Sequence, residues 1–417
     1  MADLRTRTHW FVLLTALGCS TSSGPKPGAT GAAGQATGAA GATTGAAGQT
    51  TGAAGDSSGA AGSASGAAGD QQTDAGGAGS GAAGQAPDQD AGPMFPIGDP
   101  GTTGDGELMI APPYGTQPDL KDNGNPKGKS FHFVMNSADS KLFKGDDPTL
   151  MAANMHTFMR GVDVYVPAQY KDGTPAPVLV IQDGPGELSL VKNALDNLTI
   201  SKDPARKLPA FVVVAIANGG GDGRGSERGL EYDTMSGKYA DFVETEVFPA
   251  VLANAQVKAA YPNLSFTPNP EGRATLGCSS GGAAAMSMGW FRPNLFHRII
   301  TYSATLVAQQ NATAPEAMSF PDGAWDYHSN LMLVQTNPRK DLRVFLNCNQ
   351  MDNGATSTDA SMHNWVTANT RMDAALKAKG YHDRFVYAAG VGHCDYNVRT
   401  QTLADTLVWM WQGYPPP

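Results

Sequence analysis

The sequence predicts an α/β fold in which helices cover both faces of a mostly parallel central sheet. Apolar strand-like runs alternate with amphipathic helical runs throughout residues 108–417, and a repeated strand–helix order is typical of parallel sheets. Two of the runs, Pro177–Ile181 and Phe211–Ala217, are apolar throughout, as expected for strands that are buried on both faces. The stretch 108–417 contains about 310 residues, which is enough for one large domain with a full core.

The N-terminal segment predicts export. Arg5 and Arg7 precede a short apolar run, Trp10–Leu17, which is well below the ~20 residues needed to span a bilayer. The run leads into Gly18 and Cys19 and resembles the lipobox of bacterial lipoproteins, in which the cysteine is lipidated. We therefore predict a lipoprotein signal peptide over residues 1–19, with an ordinary secretory signal as the alternative. The expected location is extracytoplasmic, lipid-anchored to the outer membrane and facing the periplasm or the surface.

Residues 20–107 are predicted to form a disordered, flexible Gly/Ala-rich linker. Gly, Ala, Ser, Thr and Gln dominate as far as about Pro93, and Gly-Ala-Ala-Gly recurs every seven residues from Gly31 to Gly66. A seven-residue period indicates a coiled coil only where large apolar residues form a seam, and no such residue occurs in these units. The segment cannot bury enough surface to offset the entropy of ordering its backbone. We expect a tether that holds the following domain clear of a membrane surface.

The charge balance excludes one class of partner. The formal net charge is -9 and the chain has no Lys/Arg cluster, so nucleic acid is not expected to bind. The sequence has neither the spacing of metal ligands nor a phosphate-binding loop, so we expect no metal and no other cofactor. A membrane is expected as a partner only through the N-terminal lipid anchor.

Local patterns predict the remaining elements of the domain. Phe131–Asn136 and Gly161–Val166 alternate like strands at a sheet edge, and Tyr239–Leu252 has helical spacing. Two segments, Gly219–Tyr232 and Ala308–Leu331, fit no element and are long enough to be functional loops over a site. In the C-terminal half we predict strands at Arg298–Tyr302, Leu342–Cys348 and Arg384–Ala388, and helices at His363–Lys379 and Thr400–Trp411.

The stretch 273–290 combines a strand, a tight turn and a helix. Arg273–Leu276 is a short apolar strand, Gly277–Gly281 (GCSSG) has the pattern G-x-S-x-G, and small helix-forming residues follow. This order predicts the nucleophile elbow of an α/β-hydrolase fold, with Ser279 exposed above the sheet edge. The N-terminus of the following helix would direct free N–H groups at an oxyanion. The alternative is a glycine-rich turn whose serine only caps the helix.

A second copy of the pattern shows that five residues alone are a weak criterion. Gly55–Gly59 also reads G-x-S-x-G, with Ser57 at its centre. Ser57 has no strand before it and no periodic helix after it. We therefore expect no catalytic role for Ser57.

A nucleophilic serine requires a base and an orienting acid on loops that follow strands. His393 lies just after the last predicted strand, between small residues that would let the imidazole reach over the sheet edge. Asp352 lies four residues past the strand that ends at Cys348. Asp359 is the alternative acid, although it lies near a predicted helix N-terminus, where an acid is simply a good cap. Four other histidines fit a base less well: His9 in the signal, His132 in a strand, His363 at a helix start and His382 in a turn expected to face water.

Several spaced motifs carry a resemblance to a known family. They are VYVP at 164–167, QDG at 182–184, RGLEYD at 228–233, GCSSGG at 277–282 and GH at 392–393. With these motifs in this order, the chain from about Lys127 to Tyr414 resembles the Putative esterase family of α/β-hydrolases, which contains esterase D and enterochelin esterase. The resemblance implies a carboxylic-ester hydrolase whose triad falls on Ser279, Asp352 and His393. An acyl-enzyme would form on the serine and be hydrolysed by water.

The resemblance also implies an oxyanion hole. The first donor would be the N–H of Ser280, the residue after the nucleophile. The second would come from the loop after the first buried strand, at Gly184 or Gly186, because Pro185 has no N–H.

The substrate is expected to be a carbohydrate-linked or other small extracellular ester, and this too is implied by the resemblance. Arg228 and Glu231 are candidates for an ion pair that shapes the rim of a substrate pocket, or for a purely structural salt bridge. Trp325 and Tyr327 are candidates for an aromatic wall against a sugar or aryl group, with packing within their loop as the alternative. Two other functions stay open, namely an acyltransferase that uses the same triad and a surface binding module with a vestigial site.

The last expectation is a disulfide between Cys278 and Cys394. Cys278 directly precedes the proposed nucleophile and Cys394 directly follows the proposed base, so an assembled triad would bring the two cysteines close. Glucuronoyl esterases resemble this arrangement. Export would supply an oxidising compartment. With Cys19 lipidated, one thiol must stay free, and we expect Cys348, which lies in a buried strand.

Overall fold

The computed structural model describes residues 101–311, 314–315 and 318–414. The predicted signal peptide with Cys19, most of the predicted linker and Ser57 lie outside these residues. Within them, the strands are β1 (Gly106–Ile110), β2 (Lys129–Asn136), β3 (Met159–Val166), β4 (Pro175–Ala176), β5 (Val178–Gln182), β6 (Val212–Ile216), β7 (Ser265–Phe266), β8 (Arg273–Cys278), β9 (Arg298–Tyr302), β10 (Arg343–Met351) and β11 (His382–Gly392).

The helices alternate with these strands along most of the chain. They are α1 (Leu188–Leu198), α2 (Glu227–Tyr232), α3 (Lys238–Phe242), α4 (Phe248–Ala253), α5 (Ala255–Ala260), α6 (Ser280–Phe291), α7 (Leu333–Thr336), α8 (Trp365–Ala378) and α9 (Tyr396–Met410). A π-helical turn at Val243–Val247 joins α3 to α4. In the described part of the chain, no helix combines the length and the apolar character that crossing a membrane requires.

Nine of the described strands form one sheet in the order β1-β11-β10-β9-β8-β5-β6-β3-β2. β3 runs antiparallel to both β2 and β6, and all other neighbours in this sheet are parallel. β4 and β7 form a separate parallel pair. The predicted α/β fold with a mostly parallel sheet is therefore confirmed.

The central strands β5 and β6 are almost entirely apolar because their side chains enter two different layers. In β5, Leu179 belongs to a cluster with Leu195 of α1 and Leu407 of α9, whereas Val180 belongs to a cluster with Val251 of α4. All five side chains are fully buried. Consecutive residues of a strand point to opposite faces, so helices must cover both faces of this sheet.

The segment Gly219–Tyr232 does contain an element, contrary to expectation. Its second half is α2, which begins after Ser226, whose Oγ accepts a hydrogen bond from the N–H of Gly229 at 3.0 Å. Five glycines before the helix and one inside it conceal the helical pattern, because glycine has a low helix propensity. Similarly, the described part of Ala308–Leu331 includes a 3₁₀ helix at Gly323–Tyr327.

Further differences concern elements that were not predicted and the bounds of two strands. β1 and α1 were not predicted, and β1 begins at Gly106, two residues before the predicted start of the domain. β10 continues to Met351, so Asp352 follows the strand directly. His382 is the first residue of β11 rather than part of a turn that faces water, and its Nδ1 lies 2.8 Å from a carboxylate oxygen of Asp105.

Candidate active site

The turn between β8 and α6 holds Ser279 in an unusual backbone conformation, with φ 59° and ψ -129°. A non-glycine residue in such a conformation costs on the order of 1–3 kcal/mol and must be held by its surroundings. The N–H of Ser279 donates to the C=O of Tyr302 at 3.0 Å, and its C=O accepts from the N–H of Thr305 at 3.0 Å. A Cβ atom at Gly277 would collide with the main chain of Gly281, so the sharp turn requires glycine there.

The hydroxyl of Ser279 is only partly buried and lies at the carboxyl edge of the sheet. Its hydrogen-bond partner among the described residues is Thr305, with the two side-chain oxygens 3.4 Å apart. Thr305 Oγ1 in turn accepts from the indole N–H of Trp365 at 3.3 Å. No hydrogen bond joins Ser279 to His393 in the part of the chain that the structure describes.

His393 and Asp352 are hydrogen bonded to each other. His393 Nδ1 lies 2.5 Å from Asp352 Oδ1, and the side chain of Asp352 is fully buried. The Asp352 carboxylate also accepts from the main-chain N–H groups of Asn353 at 2.9 Å and Asn349 at 3.3 Å. With Nδ1 committed to Asp352, the other ring nitrogen of His393 is the one that can exchange a proton with a reacting group.

Asp359 does not reach this pair. It lies in a 3₁₀ turn before α8, its side chain is 62% exposed, and it forms an ion pair with Arg371 at 2.8 Å. The two candidate acids therefore occupy different environments, and the structure brings only Asp352 to His393.

A disulfide joins Cys278 to Cys394, with the two Cα atoms 6.1 Å apart. It links the residue before Ser279 to the residue after His393, so the two loops are covalently connected next to both side chains. Cys348 is free and buried in β10, and burial raises the pKa of its thiol. A neutral thiol in an apolar strand is a weak nucleophile.

The Gly184 N–H is not available as an oxyanion donor, contrary to one prediction. It donates to the C=O of Ile216 at 2.8 Å, which ties the loop after β5 to the end of β6. The N–H of Gly186, the alternative, has no acceptor among the described residues. Ser280 is fully buried at the first position of α6, where main-chain N–H groups have no partner within the helix.

Arg228 and Glu231 do not form the predicted ion pair with each other. Arg228 makes a two-pronged contact with Asp183, with N–O distances of 2.8 and 2.9 Å. Glu231 is fully buried and pairs with the buried Arg160, with one N–O distance of 3.1 Å. Glu231 thus serves the packing of the domain and has no access to a substrate.

Arg228 is connected to the elbow through Asp183. Its partner Asp183 is about 29% exposed, and a Cβ atom at Gly281 would lie only 2.8 Å from Asp183 Oδ2. Arg228 also contacts the exposed Asp222 at 2.9 Å. The Arg228–Asp183 pair therefore lies beside the first turn of α6, and a role of Arg228 at the rim of a substrate pocket stays a prediction.

Trp325 and Tyr327 do not form an aromatic wall. They are 2% and 0% exposed, and Tyr327 packs edge-on against Trp290 while its hydroxyl lies 3.0 Å from Ser287 Oγ. His328 is buried beside them, and burial lowers its pKa to about 4. The packing alternative is therefore the observed one, because the apolar side chains of this segment complete the core below α6.

Several residues of the site were missed by the sequence analysis. Trp365 packs edge-on against the His393 ring, with centroids 6.1 Å apart. Asp233 is buried behind Ser280 and accepts from Gln309 Nε2 at 3.1 Å, and burial raises the pKa of its carboxyl to about 7. Asp233 ends the RGLEYD motif, which was the only available indication that it is near the site. Among the described residues, no group of three or more His, Cys, Asp and Glu side chains is arranged to hold a metal.

The model of a family described as "Putative esterase" matches residues 155–408 of this chain. No curated protein matches the chain. Among solved structures, a ferulic acid esterase is 17% identical, with a TM-score of 0.47 and coverage of 69% of this chain and 100% of that chain. The enterobactin esterase of Shigella flexneri is 19% identical, with a TM-score of 0.44 and coverage of 69% of this chain but only 60% of its own. A ferulic acid esterase of Anaeromyces mucronatus is 12% identical, with a TM-score of 0.43 and coverage of 72% of this chain and 98% of that chain.

Proposed function

Because the chain belongs to the Putative esterase family and is a carboxylic-ester hydrolase, we propose that Ser279, Asp352 and His393 are its catalytic triad. The observation that carries this proposal is the hydrogen bond of 2.5 Å between His393 Nδ1 and the buried Asp352. The disulfide beside both Ser279 and His393 supports it, because it keeps the base loop next to the elbow. The three residues also follow in the chain order Ser, Asp, His of this fold.

The chemistry follows from the positions of these groups. Ser279 Oγ attacks the ester carbonyl while His393 Nε2 takes its proton, and Asp352 holds the ring and stabilises the imidazolium. For this transfer the Ser279 hydroxyl turns from Thr305 towards His393. His393 then gives the proton to the leaving alcohol, and the acyl group stays on Ser279 as an ester. Water attacks that ester with His393 again as base, which releases the acid and restores Ser279.

The tetrahedral intermediate carries a negative charge that needs hydrogen-bond donors. We assign the N–H of Ser280, at the N-terminus of α6, as the first donor. We assign the N–H of Gly186 as the second, since the Gly184 N–H is already bonded to Ile216. Each such donor typically contributes about 10²–10³-fold to kcat.

The substrate that we propose is a carbohydrate-linked or other small extracellular ester. The family and the predicted export support this class. The Arg228–Asp183 pair beside α6 would contribute polar groups to one side of the substrate site. The enzyme would be extracytoplasmic, anchored to a bacterial membrane by a lipid on Cys19 and separated from it by the Gly/Ala-rich linker.

The proposal is tested first at Ser279. Ser279→Ala is expected to abolish hydrolysis of p-nitrophenyl acetate and of acetyl or feruloyl sugar esters, and to abolish labelling by a fluorophosphonate probe, with unchanged unfolding. Ser57→Ala, which alters the same pattern outside the strand–helix context, is the matched control and is expected to behave as wild type. Labelling of Ser279→Ala at the wild-type rate would show that another residue is the nucleophile.

The same assay separates hydrolysis from acyl transfer. With an acceptor alcohol present, a hydrolase releases the free acid as its main product, because water reaches the acyl-enzyme. A main product in which the acyl group is attached to the acceptor would instead identify an acyltransferase.

A further inference from the structure

Two buried polar side chains, Asn349 and Ser303, connect the acid, the base loop and the nucleophile elbow. We propose that they are positioning residues that hold the loop Gly392–Cys394 so that His393 faces Ser279. The proposal rests on the proposed triad. Both residues are completely buried, and neither contacts a reacting atom.

In Asn349, near the end of β10, both polar atoms of the side-chain amide form hydrogen bonds. Its Nδ2 donates to the C=O of Gly392 at 2.6 Å and to Ser303 Oγ at 3.3 Å. Its Oδ1 accepts from Asn347 Nδ2 at 3.1 Å. These partners fix the orientation of the amide, since its nitrogen must face the base loop and its oxygen must face Asn347. A buried amide satisfied in this way is held in one geometry.

The main chain of Asn349 contacts the acid as well. Its N–H donates to Asp352 Oδ2 at 3.3 Å, and its C=O accepts from the N–H of Asp352 at 3.1 Å. A single residue therefore touches the carboxylate of Asp352 and the peptide that precedes His393. Moving the base loop away from the acid would therefore weaken the contacts of Asn349.

Ser303 makes the corresponding contact on the other side of His393. Its Oγ accepts from the N–H of Cys394 at 3.2 Å. Two neighbours of Ser303 in the chain bind the main chain of Ser279. The C=O of Tyr302 accepts from the N–H of Ser279, and the N–H of Thr305 donates to the C=O of Ser279. The turn after β9 is thus hydrogen bonded to the nucleophile and to the base loop at once.

Together the two side chains hold both peptide groups that flank His393. Gly390 and Gly392, at the end of β11, precede the base, and glycines give that end of the strand more backbone freedom than other residues would. The disulfide restrains Cys394 only through its side chain. Asn349 and Ser303 supply the main-chain restraint that the disulfide lacks, so that the imidazole stays in the productive position.

Loss of this restraint is expected to lower kcat and to leave substrate binding intact. In Asn349→Ala and Ser303→Ala, kcat should fall by about 10- to 10²-fold with KM within about twofold of wild type, because misplacement of a catalytic group by about 1 Å has effects of this size. The far-downfield NMR resonance of the proton between His393 and Asp352 should broaden or disappear. A residue with a purely structural role would leave that resonance in place in the folded protein.

Thr301→Val is the matched control. Thr301 is a buried residue of β9 two positions before Ser303, and its Oγ1 donates to a main-chain oxygen, that of Phe345, at 3.1 Å. Its loss removes one buried hydroxyl, as Ser303→Ala does, but that hydroxyl bonds to the main chain of β10 and not to the base loop. We expect the two variants to lose similar stability towards urea, and only Ser303→Ala to lose kcat.

The outcomes separate this proposal from the proposed triad. Wild-type kcat and an intact downfield resonance in both Asn349→Ala and Ser303→Ala would overturn the positioning role, while an inactive His393→Ala would leave the triad standing. A loss of kcat in Thr301→Val equal to that in Ser303→Ala would also overturn it, since the loss would then reflect weakened packing. An active His393→Ala would overturn the triad itself.

Discussion

Asp352 and Asp359 show how much the surroundings of a residue decide its role. Both follow β10, and sequence alone allows either to be the acid. Asp352 is buried against His393, whereas Asp359 is exposed and paired with Arg371. The difference arises because β10 extends to Met351 and delivers Asp352 at the edge of the sheet.

The first residue-scale prediction separates these two acids. Asp352→Asn is expected to lower kcat on the order of 10⁴-fold, because an amide in place of the carboxylate favours the wrong imidazole tautomer. Asp359→Asn removes an exposed ion pair and is expected to change stability by about 0–1 kcal/mol with kcat unchanged. The checks are kcat for p-nitrophenyl acetate and the midpoint of urea unfolding. Equal activity of wild type and Asp352→Asn would contradict the assignment.

At this scale the sequence identifies residues whose role depends on local context. Ser279 is recognisable because its strand, its glycines and its helix are contiguous. Ion-pair partners cannot be recognised in this way. Arg228 pairs with Asp183 and Glu231 pairs with Arg160, and both partners are distant in sequence. A charged side chain has several acceptable partners, and only the folded chain decides which one is within reach.

Helix α2, which carries Arg228, also carries a buried acid without a hydrogen-bond partner among the described residues. Glu227, its first residue, is 2% exposed, and both of its carboxyl oxygens lack a hydrogen-bond partner among the described residues. The pKa of Glu227 is raised from its ordinary 4.5 to about 8, mainly by burial and secondly by the nearby charge of Glu231. Arg160 and Lys238 lower this pKa, but their effect is smaller. The folded protein therefore favours a protonated Glu227 at neutral pH.

A pH-dependence of stability follows at the scale of this element. Because the pKa is higher in the folded than in the unfolded state, the contribution of Glu227 is fully present below about 4.5 and is lost as the pH rises through about 8. Glu227→Gln cannot ionise, so it should match wild type near pH 4.5 and be more stable above pH 8. Urea unfolding of both proteins across this range is the measurement. A constant stability difference between them at all pH values would show that Glu227 does not titrate in this way.

Elements were predictable in proportion to the length and regularity of their patterns. The parallel strands β5, β6 and β8 are buried and mostly apolar, and their predicted positions agree with the structure within two residues. α2 is short and glycine-rich, so its pattern is weak. α1 is different, because its buried residues 190, 191, 194, 195 and 198 do have helical spacing and the helix could have been predicted.

On the scale of the whole molecule, the chain combines a catalytic domain with a long N-terminal segment. The domain begins at β1, which pairs with β11 at one edge of the sheet. The composition of residues 20–107 predicts a flexible tether. The proposed lipid anchor depends on Cys19, and Cys19→Ser tests it.

Wild type is expected in the membrane fraction after cell breakage, and Cys19→Ser in the soluble extracytoplasmic fraction, because removing the thiol removes the site of lipid attachment. The kcat of the two proteins should be equal, since the anchor lies outside the catalytic domain. Fractionation followed by an esterase assay measures both quantities. Wild type found in the soluble fraction would instead indicate an ordinary secretory signal.

The bond between Cys278 and Cys394 has a consequence for proteolysis. The two residues are 116 positions apart, and the segment between them includes exposed positions such as Met318. A protease that cuts once at such a position produces two fragments, one carrying Ser279 and the other carrying Asp352 and His393, yet the bond keeps them in one molecule. A nicked enzyme would therefore migrate as a single species until it is reduced, and the cut alone would not let its active-site residues diffuse apart.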